Sequence, residues 1–152
     1  MTITTIEARQ QLVDAIADAA GEIGYALASL GAAHEQLDEY SAERLEDELF
    51  RPVQAAYGRA KRTHAAFAGR HGLSEAAFEQ RSPGLPSTGA KGFIDHAVGA
   101  ADQADRALAT LQDSPLPVDV GDVELRAGLA EVREQLGVVR PRARELVRGL
   151  GR

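Results

Sequence analysis

The stretch VDAIADAAGEIGYALASLGAAHEQL, residues 13–37, carries the most regular hydrophobic pattern of the chain and decides the fold. Its apolar residues and one histidine recur at alternating steps of three and four, which places them on one face of an α-helix. This seam consists of Val13, Ile16, Ala20, Ile23, Leu27, Leu30, His34 and Leu37. Alanines and glycines flank the seam, so other helices can approach it closely. We predict a long first helix that ends near Leu37, and the pair Thr4 and Glu7 forms a predicted capping box at its start.

A second amphipathic pattern follows from Ser41, the predicted N-cap of helix 2, to the glycines at 69 and 72 that end it. Pro52 interrupts this pattern, because proline lacks a backbone donor and clashes with the preceding turn. The apolar face continues past Pro52. A kinked helix is therefore favoured over two helices with a break at Arg51.

The second half of the chain repeats this arrangement of two helices. Residues 73–92 are the least regular stretch, in which we predict a short helix over residues 75–80 and then a loop rich in proline and glycine. Helix 3 is predicted over residues 92–112. Helix 4 is predicted to begin near Asp119 or Asp122 and to run to Leu150, with a kink at Pro141.

Four amphipathic helices with short links within each pair predict an all-α fold, an antiparallel up-down-up-down four-helix bundle. The short predicted helix lies in the connection between helices 2 and 3. One domain is expected over residues 1–152, and no segment alternates with period two as a strand would. The chain has no cysteine, which excludes disulfides and thiolate metal sites. It shows no secretory signal and no long apolar run, so a cytoplasmic location without membrane contact is expected.

Charge is segregated along the chain. The formal charge is −9 over residues 1–50, +5 over residues 51–74, −6 over residues 75–125 and +4 over residues 126–152. In the up-down-up-down order the C-terminal ends of helices 2 and 4 meet, which predicts one basic pole and one acidic pole. Two alternatives stay open: the charges complement helix dipoles and pair internally, or residues 73–92 form a crossover that separates the two basic segments.

The basic pole is a candidate anion site, and three histidines are expected towards it. The candidate residues are Arg59, Lys61, Arg62, His64, Arg70, His71, His96, Arg140, Arg142, Arg144 and Arg148. Neighbouring arginines disfavour a metal cation, and no carboxylate stands three residues before a histidine as in di-iron bundles. We therefore predict no metal, no cofactor and no catalytic residue. Nucleic acid is an unlikely partner, because the net charge is −6 and aromatic residues are not interleaved with the basic ones.

Tyr25 projects away from the seam of helix 1 and shares an outer face with small residues. The interface candidates are Gly21, Tyr25, Ala28 and Ala32. A nearly uncharged patch with an aromatic centre is typical of a partner surface, although a helix buried more widely inside its own bundle would show the same pattern. We expect a non-enzymatic protein that acts through protein contacts, by self-association through the outer face of helix 1 as a homodimer, or with another protein partner. The alternative function is binding, or catalysis, of an anionic small molecule at the basic pole.

Overall fold

The structure is a computed structural model that describes residues 5–78, 80–115 and 122–150. The predicted cap at Thr4 and the predicted start at Asp119 lie outside these residues. The described part of the chain is helical and contains no strand, which confirms the predicted all-α class. Its helices are α1 (Thr5–His34), α2 (Glu39–Leu45), α3 (Arg51–His71), α4 (Gly89–Asp113), α5 (Val123–Leu136) and α6 (Val139–Leu150).

These six segments form four rods that pack against each other as a four-helix bundle. A π-helical turn, Glu46–Phe50, joins α2 to α3 in the second rod, and α5 and α6 together form the fourth. The rod of α1 packs against α3 and α4, and the fourth rod packs against the same two helices. Buried apolar residues from every rod meet in a single core.

The order of directions differs from the predicted up-down-up-down topology. Side-chain contacts place Gly24 beside Tyr57 and Tyr25 beside His96, with Gln36 at Pro86, the residue that begins the turn before α4. Along α1 the contacting residues of α4 therefore run backwards, so these helices are antiparallel. The first rod is also antiparallel to α3, since Gly31 and His34 line one hollow with Phe50 while Gly24 lies beside Tyr57. Consequently α3 and α4 run in the same direction. The fourth rod runs opposite to α3, because Asp122 pairs with Arg70 and Glu131 pairs with Arg59. The bundle is therefore up-down-down-up.

This order requires a crossover between α3 and α4, whose described residues are 73–78 and 80–85. The backbone N–H of Ala76 donates to the His64 ring at 3.2 Å, near the end of α3. Further along, Arg81 pairs with Glu22 at 2.9 Å, and the Pro86 carbonyl accepts from Gln36 at 2.8 Å. The segment thus follows the outside of α1 to the opposite end of the bundle. Residues 73–78 are not helical, so the bounds predicted for the short helix, residues 75–80, are wrong; the short helix of this connection is instead a 3-10 turn, Pro86–Thr88.

The predicted seam of α1 is largely the buried face. Val13, Ile16, Ala20, Ile23 and Leu30 are at most 1% exposed, whereas Leu27 and Leu37 are half-buried. The exception is His34, which is the last residue of α1 and is exposed. The helix ends three residues earlier than predicted, so His34 stands at its exposed end and not within the buried face.

Pro52 produces the π-helical turn rather than a break. The Arg51 N–H donates to the Glu46 carbonyl, five residues back, which accommodates the proline within a continuous helix. Pro52 cannot donate to the carbonyl of Glu48, and that carbonyl instead accepts from Arg142 Nη1 at 3.2 Å. The prediction of one interrupted rod is therefore confirmed, with a π-helical turn at the interruption.

The two other proposed helix boundaries are refined by the structure. Asp38, and not Ser41, caps α2, since its carboxylate accepts from the Ser41 N–H at 2.9 Å. In the fourth rod the interruption falls at residues 137–138, between α5 and α6, so Pro141 stands in the first turn of α6, where its missing donor is not needed. Among the described residues, no helix combines the length and apolar character that a membrane crossing needs.

Candidate functional site

The predicted basic pole does not form, because the crossover places the two basic segments at opposite ends of the bundle. Arg70 and His71 end α3 beside Asp122, the N-cap of α5. Arg148, near the end of α6, lies at the other end, where the neighbouring Gly149 is close to Arg44 of α2. The structure therefore bears out the alternative that the sequence left open, a crossover that separates the two segments.

Asp122 uses the basic side chains at the end of α3 as structural partners. Arg70 donates to both of its carboxylate oxygens at 2.8–3.0 Å, and His71 Nε2 lies 2.9 Å from Oδ2. The Leu125 N–H donates to Oδ1 at 2.7 Å, which caps α5. Burial raises the pKa of Asp122, but the hydrogen bonds from Leu125, His71 and Arg70 outweigh it and hold the pKa below its ordinary value. A buried carboxylate thus engages both Arg70 and His71.

Several other predicted anion ligands are also engaged within the chain. Arg59 pairs with Glu131 at 2.6 Å, and Lys61 stands over the Tyr57 ring, 4.6 Å from its centroid. Arg142 binds the Glu48 carbonyl, as described above. These side chains, which the sequence predicted as anion ligands, are thus engaged within the chain. This agrees with the alternative in which the charges pair internally.

The histidines do not gather into one cluster. His64 is 1% exposed; its Nε2 accepts from the Ala76 N–H, and its ring meets Phe78 edge-on. Burial is the main cause that lowers the pKa of His64. His96 is exposed beside Tyr25, with 3.5 Å between Nδ1 and the hydroxyl. Within the described residues, no three histidine or carboxylate side chains are grouped as a metal ion would need.

The outer face of α1 is covered by the chain itself. The guanidinium of Arg81, from the crossover, stands 4.1 Å from the centroid of the Tyr25 ring and pairs with Glu22. Gly21 lines a hollow beneath the same segment, and Ala28 and Ala32 are half-buried. The structure thus shows wider burial of α1, which was the alternative explanation of this pattern.

An open groove lies elsewhere, between α4 and α6. It measures about 460 Å³, and its apolar floor is formed by Ile94, Val98, Ala143 and Val147. Charged side chains surround this floor: Lys91, Asp95, Arg140, Arg144 and Arg148. Four of these five are cations, so the groove combines an apolar floor with a largely positive rim.

The cations of the groove differ in how they are engaged. Arg140 pairs with Asp102 of α4, and Arg148 pairs with Glu145 of its own helix at 3.1 Å. Lys91 and Arg144 have no ion-pair partner among the described residues. They line a surface that is ready for an anion, since binding one would displace no internal partner.

Sequence reasoning named the α6 side of this groove but missed the α4 side. Arg140, Arg144 and Arg148 recur every fourth residue, which places them in one row on a helix. The signal for Lys91 was hidden, because residues 89–91 were interpreted as loop while α4 begins at Gly89. Lys91, Ile94 and Val98 share one face of α4, and only the packing of α4 against α6 brings this face beside the row of arginines.

No protein-family model, curated protein or solved structure matches this chain. The groove between α4 and α6 is therefore the candidate functional site of the chain.

Proposed function

We propose that this protein is a non-enzymatic binding module that acts through protein contacts at the groove between α4 and α6. One observation carries the proposal: the groove has an apolar floor and a rim on which Lys91 and Arg144 have no ion pair with any residue that the structure describes. Surfaces of this kind select a partner that is apolar at its centre and acidic at its edges.

The floor supplies affinity and the rim supplies orientation. Val98 and Val147 are half-buried, so a partner that covers them removes apolar surface from water, worth about 25 cal/mol per Å². Exposed cations add modest energy to a contact, but they raise the rate of encounter and reject basic partners. The expected partner therefore carries both features on one face.

The shape of the groove favours a helical partner. The groove runs between two antiparallel helices, which is the geometry in which an amphipathic helix docks. The row from Arg140 to Arg148 spans about 12 Å at 1.5 Å per residue. Carboxylates four residues apart on a docked helix have the same spacing as the arginines of this row.

A second candidate function is binding of an anionic small molecule with an apolar body at the same groove. The volume of about 460 Å³ favours it, since ligand pockets commonly lie between about 300 and 1,000 Å³. Against it, the groove opens along its length, whereas ligand pockets enclose most of the ligand surface. This alternative retains the predicted ligand class and moves it from the predicted pole to the groove.

The test is an NMR titration of the full chain with three probes: a synthetic acidic amphipathic helix, decanoate and inorganic phosphate. We expect the peptide to shift amide resonances of α4 and α6, to raise the melting temperature, and to lose affinity as salt is added. Arg144→Glu should weaken binding by about tenfold, because it removes a modest attraction and adds a repulsion of similar size. The matched control is Arg126→Glu, the same change at an exposed position of α5 outside the groove.

The outcomes separate the two functions. Shifts with decanoate but not with the peptide would replace the protein partner by a small molecule. Resonances of α4 and α6 that respond to none of the probes would overturn both functions.

A further inference from the structure

We infer that the partner of the groove is a second copy of this chain, which docks its helix α2 into the groove of the first. This inference rests on the function proposed above, and it names the partner for the same site. Such docking requires a surface on the chain that complements the groove and that cannot reach the groove of its own molecule.

The complementary surface is the exposed face of α2. Ala42 and Leu45 turn inward and are buried, while Glu39, Tyr40 and Glu43 are exposed. Tyr40 is 71% exposed, which is unusual for a large aromatic side chain in a chain with few of them. This face of α2 therefore shows the chemistry that the groove selects, an aromatic group among carboxylates.

The spacings of the two surfaces agree. Glu39 and Glu43 are four residues apart on α2, as Arg144 and Arg148 are on α6, so each pair spans about 6 Å. With the carboxylates opposite the arginines, the Tyr40 ring is available for the apolar floor. Tyrosine is enriched in protein interfaces because its ring is apolar and its hydroxyl still finds a polar partner.

The two surfaces cannot meet within one molecule. Arg142 of α6 donates to the Glu48 carbonyl just beyond α2, whereas Arg144 of α6 lines the groove. Residues two apart on a helix point about 200° from each other, so the second rod and the groove lie on opposite sides of α6. The α2 face of one copy thus reaches only the groove of another copy.

A contact between two different surfaces repeats from copy to copy. Because the α2 face and the groove lie on opposite sides of α6, they cannot both face the same partner, as the two reciprocal contacts of a two-fold dimer would require. The contact is therefore heterologous and builds a ring or an open chain. The docked element is short, so the interface is small and the association weak and sensitive to salt. The predicted assembly therefore grows with concentration and does not stop at a dimer.

The test is sedimentation equilibrium of the full chain at low salt and at about 0.5 M salt, where exposed charges are largely screened. We expect the average mass of the wild type to rise with concentration beyond two chains at low salt, and to fall towards one chain at high salt. Arg144→Glu and Glu43→Arg should each remove this rise, because each opposes like charges across the contact.

An equimolar mixture of the two variants gives the decisive result. In the mixture, the unchanged acidic α2 of the Arg144→Glu variant faces the unchanged basic groove of the Glu43→Arg variant. In the other contact, the introduced arginine at position 43 faces the introduced glutamate at position 144, so both contacts join opposite charges. We expect the mixture to regain a rising mass that neither variant shows alone. Arg126→Glu is the control and should associate as the wild type does, and circular dichroism should show that every variant remains folded.

The failure of this inference is distinguishable from failure of the proposed function. A wild type that stays monomeric, or single variants that associate like the wild type, would overturn the second copy as the partner. If the α4 and α6 resonances still respond to the acidic peptide, the groove then serves a different protein. If they do not respond, the proposed function fails as well.

Discussion

The two halves of the fourth rod, α5 and α6, differ in how completely they are covered by the neighbouring helices. The α5 half closes against α3, where Gly128 meets Thr63 at close range and Asp122 holds Arg70 and His71. The α6 half instead leaves an open groove beside α4, in which Arg144 has no ion-pair partner among the described residues. Arginines are present on both sides, so the presence of a cation does not by itself distinguish a closed surface from an open one. Charge that is paired with a buried acid stabilises the fold, and charge beside an uncovered apolar floor is available for binding.

The largest expected effect is at Asp122 on the closed side. Asp122→Ala removes the cap of α5 and leaves Arg70 and His71 without their carboxylate, which should lower the free energy of unfolding by about 3 kcal/mol. Urea denaturation measures this change. The control is Asp95→Ala at the groove, an exposed carboxylate that should change stability by less than about 0.5 kcal/mol. Equal losses at both positions would contradict the distinction between the two halves.

Gly128 tests how closely α5 approaches α3. A Cβ atom at Gly128 would stand 2.3 Å from Thr63 Oγ1, so Gly128→Ala should destabilise the protein by about 2 kcal/mol through overpacking. Thr63→Ala in the same chain should recover part of the loss, because it removes the two nearest atoms.

The matched control is Gly99→Ala on α4. A Cβ atom there meets nothing within 4 Å, and alanine favours a helix over glycine by about 1 kcal/mol. The same change of residue should therefore stabilise the protein at residue 99 and destabilise it at residue 128 in thermal or urea unfolding. If both substitutions changed the free energy of unfolding in the same direction, the close approach of α3 and α5 would not be what excludes a side chain at residue 128.

The sequence predicts the helices well because each rod buries one face. The steps of three and four from Val13 to Leu30 determine which residues enter the core, and the left-handed Gly72 marks the end of α3 as expected. Helix periodicity does not specify direction, however. A connection of residues 73–85 permits either a return to the same end or a crossover, and only contacts such as Arg81 with Glu22 decide between them.

The candidate site was predictable only in part, for the same reason. Arg144 and Arg148 form a row that the sequence shows directly, but their neighbour across the groove, Lys91, follows from the direction of α4. Tyr25 shows what the sequence could not predict on another helix. Its position outside the seam of α1 is correct, but the segment that covers it is irregular and has no periodic signal, so the sequence did not show that the ring would be covered. Properties of one helix were predictable, and properties of a contact between distant segments were not.

His64 gives the closed side a pH dependence. Burial lowers its pKa, so the unfolded chain binds this proton more readily than the folded chain does. Stability should therefore decline as the pH falls below about 6.5, the ordinary value for histidine, with a slope of at most about 1.4 kcal/mol per pH unit for one proton. Protonation also opposes the bond from the Ala76 N–H, which attaches the crossover to α3.

Urea unfolding of the wild type and of His64→Gln across pH 5 to 8 isolates this contribution, since glutamine keeps an acceptor and does not titrate. Other groups affect both proteins alike. The difference between the two should shrink as the pH falls, because only the wild type loses stability through His64. Parallel curves would show that the crossover is not attached through a neutral imidazole.

The smallest expected effect is at Arg144 on the open side. Arg144→Ala removes a cation with no ion-pair partner among the described residues, so the free energy of unfolding should change by less than about 0.5 kcal/mol. Arg70→Ala is the matched change on the closed side, and it should cost about 2 kcal/mol because Asp122 is left buried without its bidentate partner. Urea denaturation of both variants at one pH measures the contrast directly. If the loss of Arg144 leaves the stability unchanged, this side chain is not needed for folding and is available to bind a partner. An Arg144→Ala variant as unstable as Arg70→Ala would instead mean that Arg144 contributes to the fold, as the residues of the closed side do.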